Sequence, residues 1–419
     1  MVNRGLSRQL LVVVALLSAY GLLMIYSAGQ TDLTSAARSF SLRDIHWKWV
    51  TQGIWLVIGV AAAAVAYRTS FRMLEWATPW LYGLGLVLLM ATLVIGTGAG
   101  DAKSSKSWLA IGSVRIGQPV ELAKIATILM LAQWFSARRA APATLRGLIP
   151  PIMIALIPAL LVLKQPDLGS AMVFAATLFA VMYWAGVSVP LLVLLASPIV
   201  SLLLAWSTAL WSVWMISLFV LLLIWRPFIV EAITVYLVNS AMGVLAFVVW
   251  AKMDIYQRAR ILSFLNPQGD PTRTAYQAIQ SKVAIGSGGW FGNGFTLGPL
   301  KRTGFIPEWS TDFIFATVGE ELGFIGVAVA LGLFLVLLLT MVRIARRSSD
   351  PFASMVVFGV AGLFFTHIFE NVGMAISILP ITGIPLPFFS YGGSFLLATF
   401  LALGLAFRAA SEERAAGYV

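Results

Sequence analysis

One stretch of the chain places acidic side chains beside apolar runs, a combination typical of a catalytic site. Residues 305–323 read FIPEWSTDFIFATVGEELG, which sets Asp312 where a long polar loop returns to a hydrophobic segment. A carboxylate at such a border is partly desolvated, and this costs free energy unless the charge has a partner or a function. We predict that Asp312 is a catalytic base at the outer face of a membrane. Glu321 belongs to the same stretch.

Other segments that contain Pro, Gly or Trp carry further candidates. Lys106 is close to Trp108, and a cation beside an aromatic surface suits sugar stacking or simple interface anchoring. Glu121 and Lys124, in GQPVELAK, are three residues apart on one helical face and can form an ion pair. That pair is either functional or a structural bridge between helices. Asp167, in QPDLG, stands at a helix start, where capping is the simpler interpretation and a functional role the alternative.

Cations in the long loop 251–322 indicate an anionic ligand. Arg258 and Arg260 flank a single residue, and Lys282 precedes the glycine-rich run AIGSGGWFGNGF. Arginine side chains bind phosphate well, so we predict a phosphate-bearing ligand, with non-specific contact to anionic lipid headgroups as the alternative. The glycine run lacks the GK[ST] ending of a Walker loop.

A late segment rich in Pro and Gly cannot be an ordinary helix. Residues 379–394 read LPITGIPLPFFSYGGS and include Ser390, and we predict a re-entrant or cavity-lining piece. Shortly before it, His367 and Glu370 are three residues apart within an apolar segment. Two groups are too few for a metal site, so we predict an interior hydrogen-bonded pair.

All of these residues must be positioned by helices that cross a membrane. Of the 419 residues, 60% are hydrophobic and 11% are charged, and the mean hydropathy is +0.91. Soluble domains average about 25% charged residues, so the composition indicates an integral membrane protein. The absence of cysteine excludes disulfides and cysteine nucleophiles. We expect no soluble domain and no nucleic-acid partner.

Hydropathy predicts an all-α, polytopic membrane protein with about 12 transmembrane helices, since a span needs roughly 20 apolar residues. The first segment follows Arg4 and Arg8 and is long for a signal sequence, so we interpret it as a retained span. The chain is predicted to be a single membrane domain, 1–419, with 251–322 as a large extracytoplasmic loop. The segments are 10–28, 49–67, 77–95, 120–135, 148–163, 168–185, 191–206, 210–225, 229–250, 323–342, 352–378 and 395–406.

The charge pattern predicts the orientation. An even number of spans puts both termini on one side, where Arg concentrates in short loops, as at Arg68, Arg139 and Arg346. The positive-inside rule applies to short loops, so we place both termini in the cytoplasm. The long loop also carries cations, but long loops escape the rule. The loops that carry the candidate residues then lie outside the cytoplasm. This fits a transporter less well, because the substrate site of a transporter lies near the middle of the membrane.

These motifs together resemble the SEDS family, the RodA/FtsW/SpoVE group. Residues 371–395, NVGMAISILPITGIPLPFFSYGGSF, resemble the family's C-terminal signature. GQPVELAK, QPDLG, QSKVAIGSGGWFGNG and PEWSTDFIFATVGEELG resemble other family blocks in the same order, so the resemblance covers nearly the whole chain. QSKVAIGSGG, GIPLP and Thr382, where division proteins often carry Lys, resemble the RodA branch more than the FtsW branch.

The resemblance implies a peptidoglycan glycosyltransferase of the bacterial cytoplasmic membrane that polymerises lipid II on the outer side during cell-wall elongation. It also implies partnership with a class B penicillin-binding transpeptidase and other membrane proteins of the elongation machinery. The family's essential acid falls on Asp312, and family functional positions fall on Trp108, Glu121, Lys124 and Asp167. The full predicted substrate-binding set is Lys106, Trp108, Gln118, Glu121, Lys124, Asp167, Arg258, Arg260, Lys282, Glu321 and Ser390.

The chain departs from the family pattern in three places. Val120 replaces the usual Ser of QPSE. Trp309 and Ser310 stand where Glu, Arg or Gln followed by His is common, which changes the surroundings of Asp312 but not its position. The family usually has ten spans, so residues 207–250 are interpreted as an inserted pair of helices, which preserves sidedness.

The predicted reaction is an inverting glycosyl transfer in which Asp312 accepts a proton from the acceptor sugar's 4-hydroxyl and undecaprenyl diphosphate leaves. Arg258, Arg260, Lys282 or Lys124 would stabilise the leaving group. No cofactor is required by the sequence, and a divalent cation, Mg²⁺ or Mn²⁺, is compatible with the step. The alternatives are a lipid II flippase, a scaffold that only recruits the transpeptidase, and an FtsW-like division enzyme.

Overall fold

The computed structural model describes residues 2–30, 47–98, 107–111, 114–225, 228–252, 276–302 and 308–416. Within these ranges the strands form one short antiparallel hairpin, β1 Leu109–Ile111 and β2 Val114–Gly117, and a 3₁₀ turn, Arg146–Leu148, leads into α5. The helices are α1 Val2–Ala28, α2 Lys48–Arg68, α3 Phe71–Ile95, α4 Pro119–Ser136, α5 Ile149–Leu163, α6 Leu168–Trp184, α7 Val189–Leu204, α8 Thr208–Trp225, α9 Ile229–Lys252, α10 Tyr276–Ser287, α11 Pro299–Arg302, α12 Ile314–Arg347, α13 Pro351–Ala375 and α14 Gly393–Ala416.

Each of the predicted hydrophobic segments coincides with one helix, which confirms the all-α membrane fold. Nine helices in the described ranges are long and apolar enough to cross a membrane, judged by length and composition. The shorter apolar helices α6 and α7, together with α4, which carries Glu121 and Lys124, account for the remaining predicted segments.

Helix α12 begins earlier than its hydropathy indicates. The apolar run starts at Gly323, but the helix starts at Ile314 and is broken at Gly323, which has φ 62° and ψ −160°. That backbone conformation is essentially restricted to glycine. The predicted boundary therefore marks a break within the helix, and the part before the break is almost entirely buried.

Helix α13 lies at the centre of the bundle and packs against α4, α6, α12 and α14. Small residues permit the close approach: an added Cβ at Gly359 would lie 2.6 Å from a side-chain atom of Ile128 in α4 and 3.0 Å from one of Val181 in α6. Membrane helices associate through such small residues, because lipid supplies no hydrophobic force between them. This packing brings polar side chains of α4, α6 and α13 together at one end of the bundle.

Helices α8 and α9, which correspond to the predicted insertion 207–250, attach to α7 through a buried polar network. Asn239 is fully buried, and its Nδ2 donates to Ser197 Oγ at 2.8 Å. Its backbone carbonyl accepts from Ser201 Oγ at 2.8 Å, and its Oδ1 accepts from Trp214 Nε1 at 3.3 Å. That the pair is an insertion into a ten-span core stays a prediction.

We expect Asn239→Leu to destabilise the protein by roughly 1–2 kcal/mol, because interhelical hydrogen bonds in membranes contribute about 0.6 kcal/mol each on average and the partners would be left unpaired. Thermal unfolding in detergent measures the effect. Ser240→Ala is the matched control, since the Ser240 hydroxyl bonds only to Tyr236 of its own helix among the described contacts. An equal loss of stability in the two variants would show that the interhelical hydrogen bonds of Asn239 do not stabilise the protein.

Candidate active site

Asp312 lies in a tight turn that immediately precedes α12. The amide groups of Thr311, Asp312 and Phe313 all donate to the carbonyl oxygen of Glu308, at 3.1, 3.1 and 3.3 Å. Phe313 is buried, whereas Asp312 is half-buried. The turn therefore fixes its backbone against the core and leaves the carboxylate at the edge, at the end of α12 opposite Arg347.

The Pro- and Gly-rich residues 379–392, here called the proline segment, are not helical, as predicted, and they support this turn. Ser390 Oγ donates to the carbonyl oxygen of Thr311 at 2.5 Å and accepts from the amide of Leu386 at 2.7 Å. The amide of Tyr391 donates to the carbonyl oxygen of Ser310 at 2.8 Å. Ser390 thus stabilises the turn, and its predicted contact with substrate stays a prediction.

Asn371, in α13, ties the proline segment to the Asp312 turn. Its Nδ2 donates at 2.8 Å to the carbonyl oxygen of Asp312 and at 2.8 Å to that of Ile384. Asn371 is fully buried. The neighbouring Gly383 has φ 75°, and an added Cβ there would lie 3.4 Å from Asp312 Oδ2. The carboxylate is therefore held beside the backbone of Gly383.

A buried polar cluster reaches the same segment from α4 and α13. Lys124 Nζ lies 2.9 Å from Glu121 Oε1, and the two side chains are 1% and 5% exposed, so the predicted ion pair is confirmed. Lys124 Nζ is also 3.3 Å from His367 Nε2, while His367 Nδ1 is 3.0 Å from the carbonyl oxygen of Pro385. Because an ammonium only donates, His367 accepts at Nε2 and donates its Nδ1 hydrogen to Pro385.

Glu370 and Asp167 flank this cluster. Thr382 Oγ1 donates to Glu370 Oε2 at 3.4 Å, and Glu370 lies within electrostatic range of Lys124 and Asp167. Asp167 accepts from the amide of Ser170 at 2.9 Å, which confirms its predicted capping role. The expected direct bond between His367 and Glu370 is wrong for the described contacts, because the two side chains reach different partners on the proline segment.

A short stretch of the proline segment is therefore the common neighbour of Asp312, Glu370 and His367. Thr382 bonds to Glu370, Gly383 lies beside the Asp312 carboxylate, and Pro385 bonds to His367. A displacement of this stretch would move the carboxylate and disturb the buried cluster together.

Lys48, the first residue of α2, was not singled out by the sequence analysis. Its Nζ donates to Ser310 Oγ at 2.9 Å and lies 5.6 Å from the ring centroid of Tyr391. It is thus a cation on the Asp312 turn. The signal that would have identified it is a lysine between Trp47 and Trp49 at the start of an apolar segment, a pattern typical of the membrane interface.

Gln52, one turn further along α2, was also missed. It is buried, donates from Nε2 to the carbonyl oxygen of Ser390 at 3.2 Å and accepts from the amide of Gly392 at 3.2 Å. Gln52 therefore holds the proline segment on α2, as Asn371 holds it on α13.

Glu321 is an anchor in this structure. It is fully buried, forms an ion pair with Lys301, and accepts from Ser27 Oγ and, at 3.1 Å, from the amide of Thr296. Its neighbour Glu320 accepts from the amide of Leu300 at 2.6 Å. These contacts connect the loop before α12 to α1 and α12. They give no support to a substrate-binding role for Glu321, which stays a prediction.

The other predicted residues are spread over the segments between the long apolar helices. Lys282 is exposed on α10, Gln118 is the residue before α4, and Trp108 pairs with Thr97 in an isolated antiparallel bridge. Their proposed contacts with substrate stay predictions. The remaining predicted cations, Lys106, Arg258 and Arg260, lie outside the described residues.

The described residues do not offer a ligand set for a metal ion. In these ranges no group of three or more His, Asp or Glu side chains could hold one. Glu121 and Glu321 are already paired with lysines, and Asp167 caps a helix. The described side chains therefore do not fit a metal ion that is held by three or more protein ligands.

Comparisons with known proteins agree with the family resemblance of the motifs. The FtsW/RodA/SpoVE family model, described as a cell cycle protein, matches residues 7–223 and 206–415. A protein of Geobacter metallireducens named probable peptidoglycan glycosyltransferase FtsW is 34% identical over 399 residues, covering 94% of this chain and 92% of the relative. Peptidoglycan glycosyltransferase MrdB of Escherichia coli K12 is 32% identical over 396 residues, covering 94% and 90%. Peptidoglycan glycosyltransferase RodA of Treponema pallidum is 32% identical over 425 residues, covering 94% and 95%.

Solved structures show the same architecture. A chain from a peptidoglycan synthase complex, whose structure concerns the coordination of polymerization and crosslinking, has a TM-score of 0.68 and 28% identity. The match covers 96% of this chain and 97% of that chain. The rod shape determining protein RodA of Thermus thermophilus has a TM-score of 0.60 and 24% identity, with 96% of each chain covered, and supports the fold alone.

Fold and site define a multi-pass helical membrane protein that presents a half-buried aspartate, held by its backbone, at one end of the bundle. The chain belongs to the FtsW/RodA/SpoVE family. The resemblance drawn from the motifs is thereby confirmed, and the relatives' names agree with the predicted enzyme class. Relatives named FtsW, MrdB and RodA have similar identities, so the closer likeness to RodA stays a prediction.

The two hydrogen bonds from Asn371 to the Asp312 turn and the proline segment lead to a prediction about how the Asp312 carboxylate is positioned. Asn371→Asp replaces the amide donor with an acceptor-only carboxylate facing the carbonyls of Asp312 and Ile384, so we expect lower thermal stability and slower glycan polymerisation. Asn371→Leu leaves the same carbonyls unpaired, at a cost of about 1–3 kcal/mol, but adds no charge. The polymerisation rate and the melting temperature should therefore fall further in Asn371→Asp than in Asn371→Leu. The reverse order would contradict the role of Asn371 as a donor to both carbonyls.

Proposed function

We propose that this chain is a peptidoglycan glycosyltransferase that polymerises lipid II into glycan strands during cell-wall elongation. The observation that carries the proposal is Asp312, which is half-buried and whose backbone is bonded to Glu308 and Asn371. A positioned base contributes about 10²–10⁴-fold to such a reaction. Relatives named as peptidoglycan glycosyltransferases, aligned over nearly their whole length, support the reaction class.

In the proposed reaction the Asp312 carboxylate accepts the proton of the 4-hydroxyl group on the acceptor sugar. The hydroxyl oxygen forms a bond to the anomeric carbon of the donor disaccharide. The bond from that carbon to the diphosphate breaks, and its electron pair leaves with undecaprenyl diphosphate. In-line displacement inverts the anomeric centre. Gly383 assists by leaving open the space beside the carboxylate that a side chain would occupy.

Two lysines have different proposed roles. Lys48 is bonded to Ser310 on the Asp312 turn, so its ammonium group is placed to stabilise charge on the leaving diphosphate. Lys124 is buried between Glu121 and His367 and acts indirectly, because it holds His367, which in turn holds Pro385 of the proline segment. Lys282, Arg258 and Arg260 are proposed as further cations of the long loop.

The proposed orientation puts Asp312 outside the cytoplasmic membrane and both termini in the cytoplasm. Its support is the position of Asp312 at the end of α12 opposite Arg343, Arg346 and Arg347, together with the preference of arginine for cytoplasmic loops. The proposed partners are a class B penicillin-binding transpeptidase and other membrane proteins of the elongation machinery. The similarity to a chain of a peptidoglycan synthase complex supports the first of these.

A polymerisation assay tests the proposed function. Purified protein in detergent is incubated with lipid II, alone and with the cognate transpeptidase, and glycan length is resolved by electrophoresis. We expect chains longer than the disaccharide, since an enzyme needs no membrane sidedness. The buried charges around Lys124 favour a flippase as the second candidate. Translocation of lipid II in proteoliposomes without polymer in either detergent reaction would replace the enzyme with that transporter.

A further inference from the structure

The loop before α12 is joined to the break in that helix by backbone hydrogen bonds. Residues 288–294, here called the glycine clasp, donate through the amides of Asn293 and Gly294 to the carbonyls of Glu320 and Glu321, both at 3.0 Å. On the other side of the break, the amides of Phe324 and Ile325 donate to carbonyls of the clasp at 2.9 and 3.2 Å. The clasp thus satisfies the backbone groups that the break at Gly323 releases, as burial in an apolar medium requires.

Backbone contact makes the clasp rigid. An added Cβ at Gly288 would overlap the carbonyl oxygen of Gly319, and one at Gly292 would overlap that of Glu321. Gly292 also has φ 79°, which disfavours any other residue. The conformation of the clasp is therefore determined by α12 and not by its own side chains.

Two large apolar side chains project from this rigid clasp. Trp290 is 68% exposed and Phe291 is 81% exposed, and we call these two residues the aromatic tip. Trp290 packs edge-to-face on Phe324, with ring centroids 5.0 Å apart. Phe324 in turn begins a stripe of exposed apolar residues along α12, which continues at helical spacing through Leu331, Leu335 and Leu339. In a membrane-crossing helix such a stripe faces lipid.

We propose that the aromatic tip is inserted into the lipid bilayer, so that the clasp is a re-entrant membrane anchor and not a water-exposed loop. Two observations favour lipid as the medium around the tip. The tip is continuous with the lipid-facing stripe of α12, and it lies level with the end of the apolar span. A tryptophan at this border matches the usual place of that residue in membrane proteins. Because the clasp is bonded to Glu320 and Glu321, its insertion would set the depth of the preceding Asp312 turn relative to the lipid surface.

The chain contains no cysteine, so single introduced cysteines can report the surroundings of chosen positions. We would label Phe291→Cys with an environment-sensitive fluorophore in lipid nanodiscs that hold the full chain. Val213→Cys is the lipid control, since Val213 is 62% exposed within α8, and Arg139→Cys is the water control, in an exposed charged loop. The readouts are the emission maximum, quenching by spin-labelled lipids and quenching by iodide.

The proposal predicts that the label at position 291 is blue-shifted, quenched by spin-labelled lipid like the label at 213, and protected from iodide relative to the label at 139. Iodide quenching and a water-like emission maximum at 291 would overturn it. So would protection from both quenchers, which would mean that protein, such as a second copy or a partner's membrane helix, covers the tip. These readouts do not depend on catalytic activity. The proposed membrane anchor can therefore fail while the proposed function holds, and the reverse.

Discussion

Asp312→Asn is expected to reduce the rate of glycan polymerisation from purified lipid II by about 10²–10⁴-fold, the usual contribution of a positioned base. The amide side chain has nearly the same size and cannot accept the proton. The described bonds with Glu308 and Asn371 are made by the backbone of residue 312 and are kept in the variant, so we expect it to fold and reach the membrane normally. The measurement is the initial rate of polymerisation at saturating lipid II, alongside the melting temperature.

Asp350→Asn provides a matched control for this variant. Asp350 is at the opposite end of α12, where its side chain accepts from the amide of Phe352 at 3.0 Å to begin α13. Asparagine caps helices about as well as aspartate, so this variant should keep both stability and activity. Polymerisation by Asp312→Asn at the rate of the Asp350→Asn control would remove Asp312 from the role of base.

The second large effect concerns the buried ion pair. Lys124→Met leaves Glu121 charged, buried and without its partner, which in other proteins costs about 3–5 kcal/mol. We expect a corresponding loss of thermal stability in detergent. The double variant Glu121→Gln with Lys124→Met has no uncompensated charge, so it should recover most of that stability, as replacement of a whole buried pair often does.

The double variant also separates the two interpretations of the pair that the sequence left open. A purely structural bridge predicts that polymerisation recovers together with stability. We predict instead that stability recovers and polymerisation does not, because the loss of Lys124 removes the donor to His367 Nε2 and loosens the proline segment beside Asp312. Full activity in the double variant would make the pair structural only.

Properties that depend on local sequence could be predicted. Apolar length determines which segments cross a membrane, and the predicted segments each became a helix. The non-helical character of residues 379–392 followed from Pro and Gly, and the cap at Asp167 followed from its place before an apolar run. The beginning of α12 could not be predicted in the same way, because residues 314–322 form a helix supported by tertiary burial ahead of the break at Gly323.

The partners of the polar residues could not be predicted, because they are distant along the chain. Asn371 and Asp312 are 59 positions apart, and Lys124 and His367 are 243 apart. Glu321 and Asp312 both looked chemically active, since each is an acid beside apolar residues. The fold separates them: Glu321 is fully buried against Lys301 and Ser27, while Asp312 is half-buried. The residue types alone do not predict this difference in burial and partners.

The central claim is that the Asp312 turn is on the outer side of the cytoplasmic membrane, and cysteine accessibility tests it most directly. Glu308→Cys, exposed in the same turn, and Arg139→Cys, exposed in an arginine-rich loop, each give the chain a single thiol. In intact spheroplasts, a membrane-impermeant maleimide should modify position 308 and reach position 139 only after permeabilisation. Modification of 139 but not of 308 would place the turn in the cytoplasm and contradict the account.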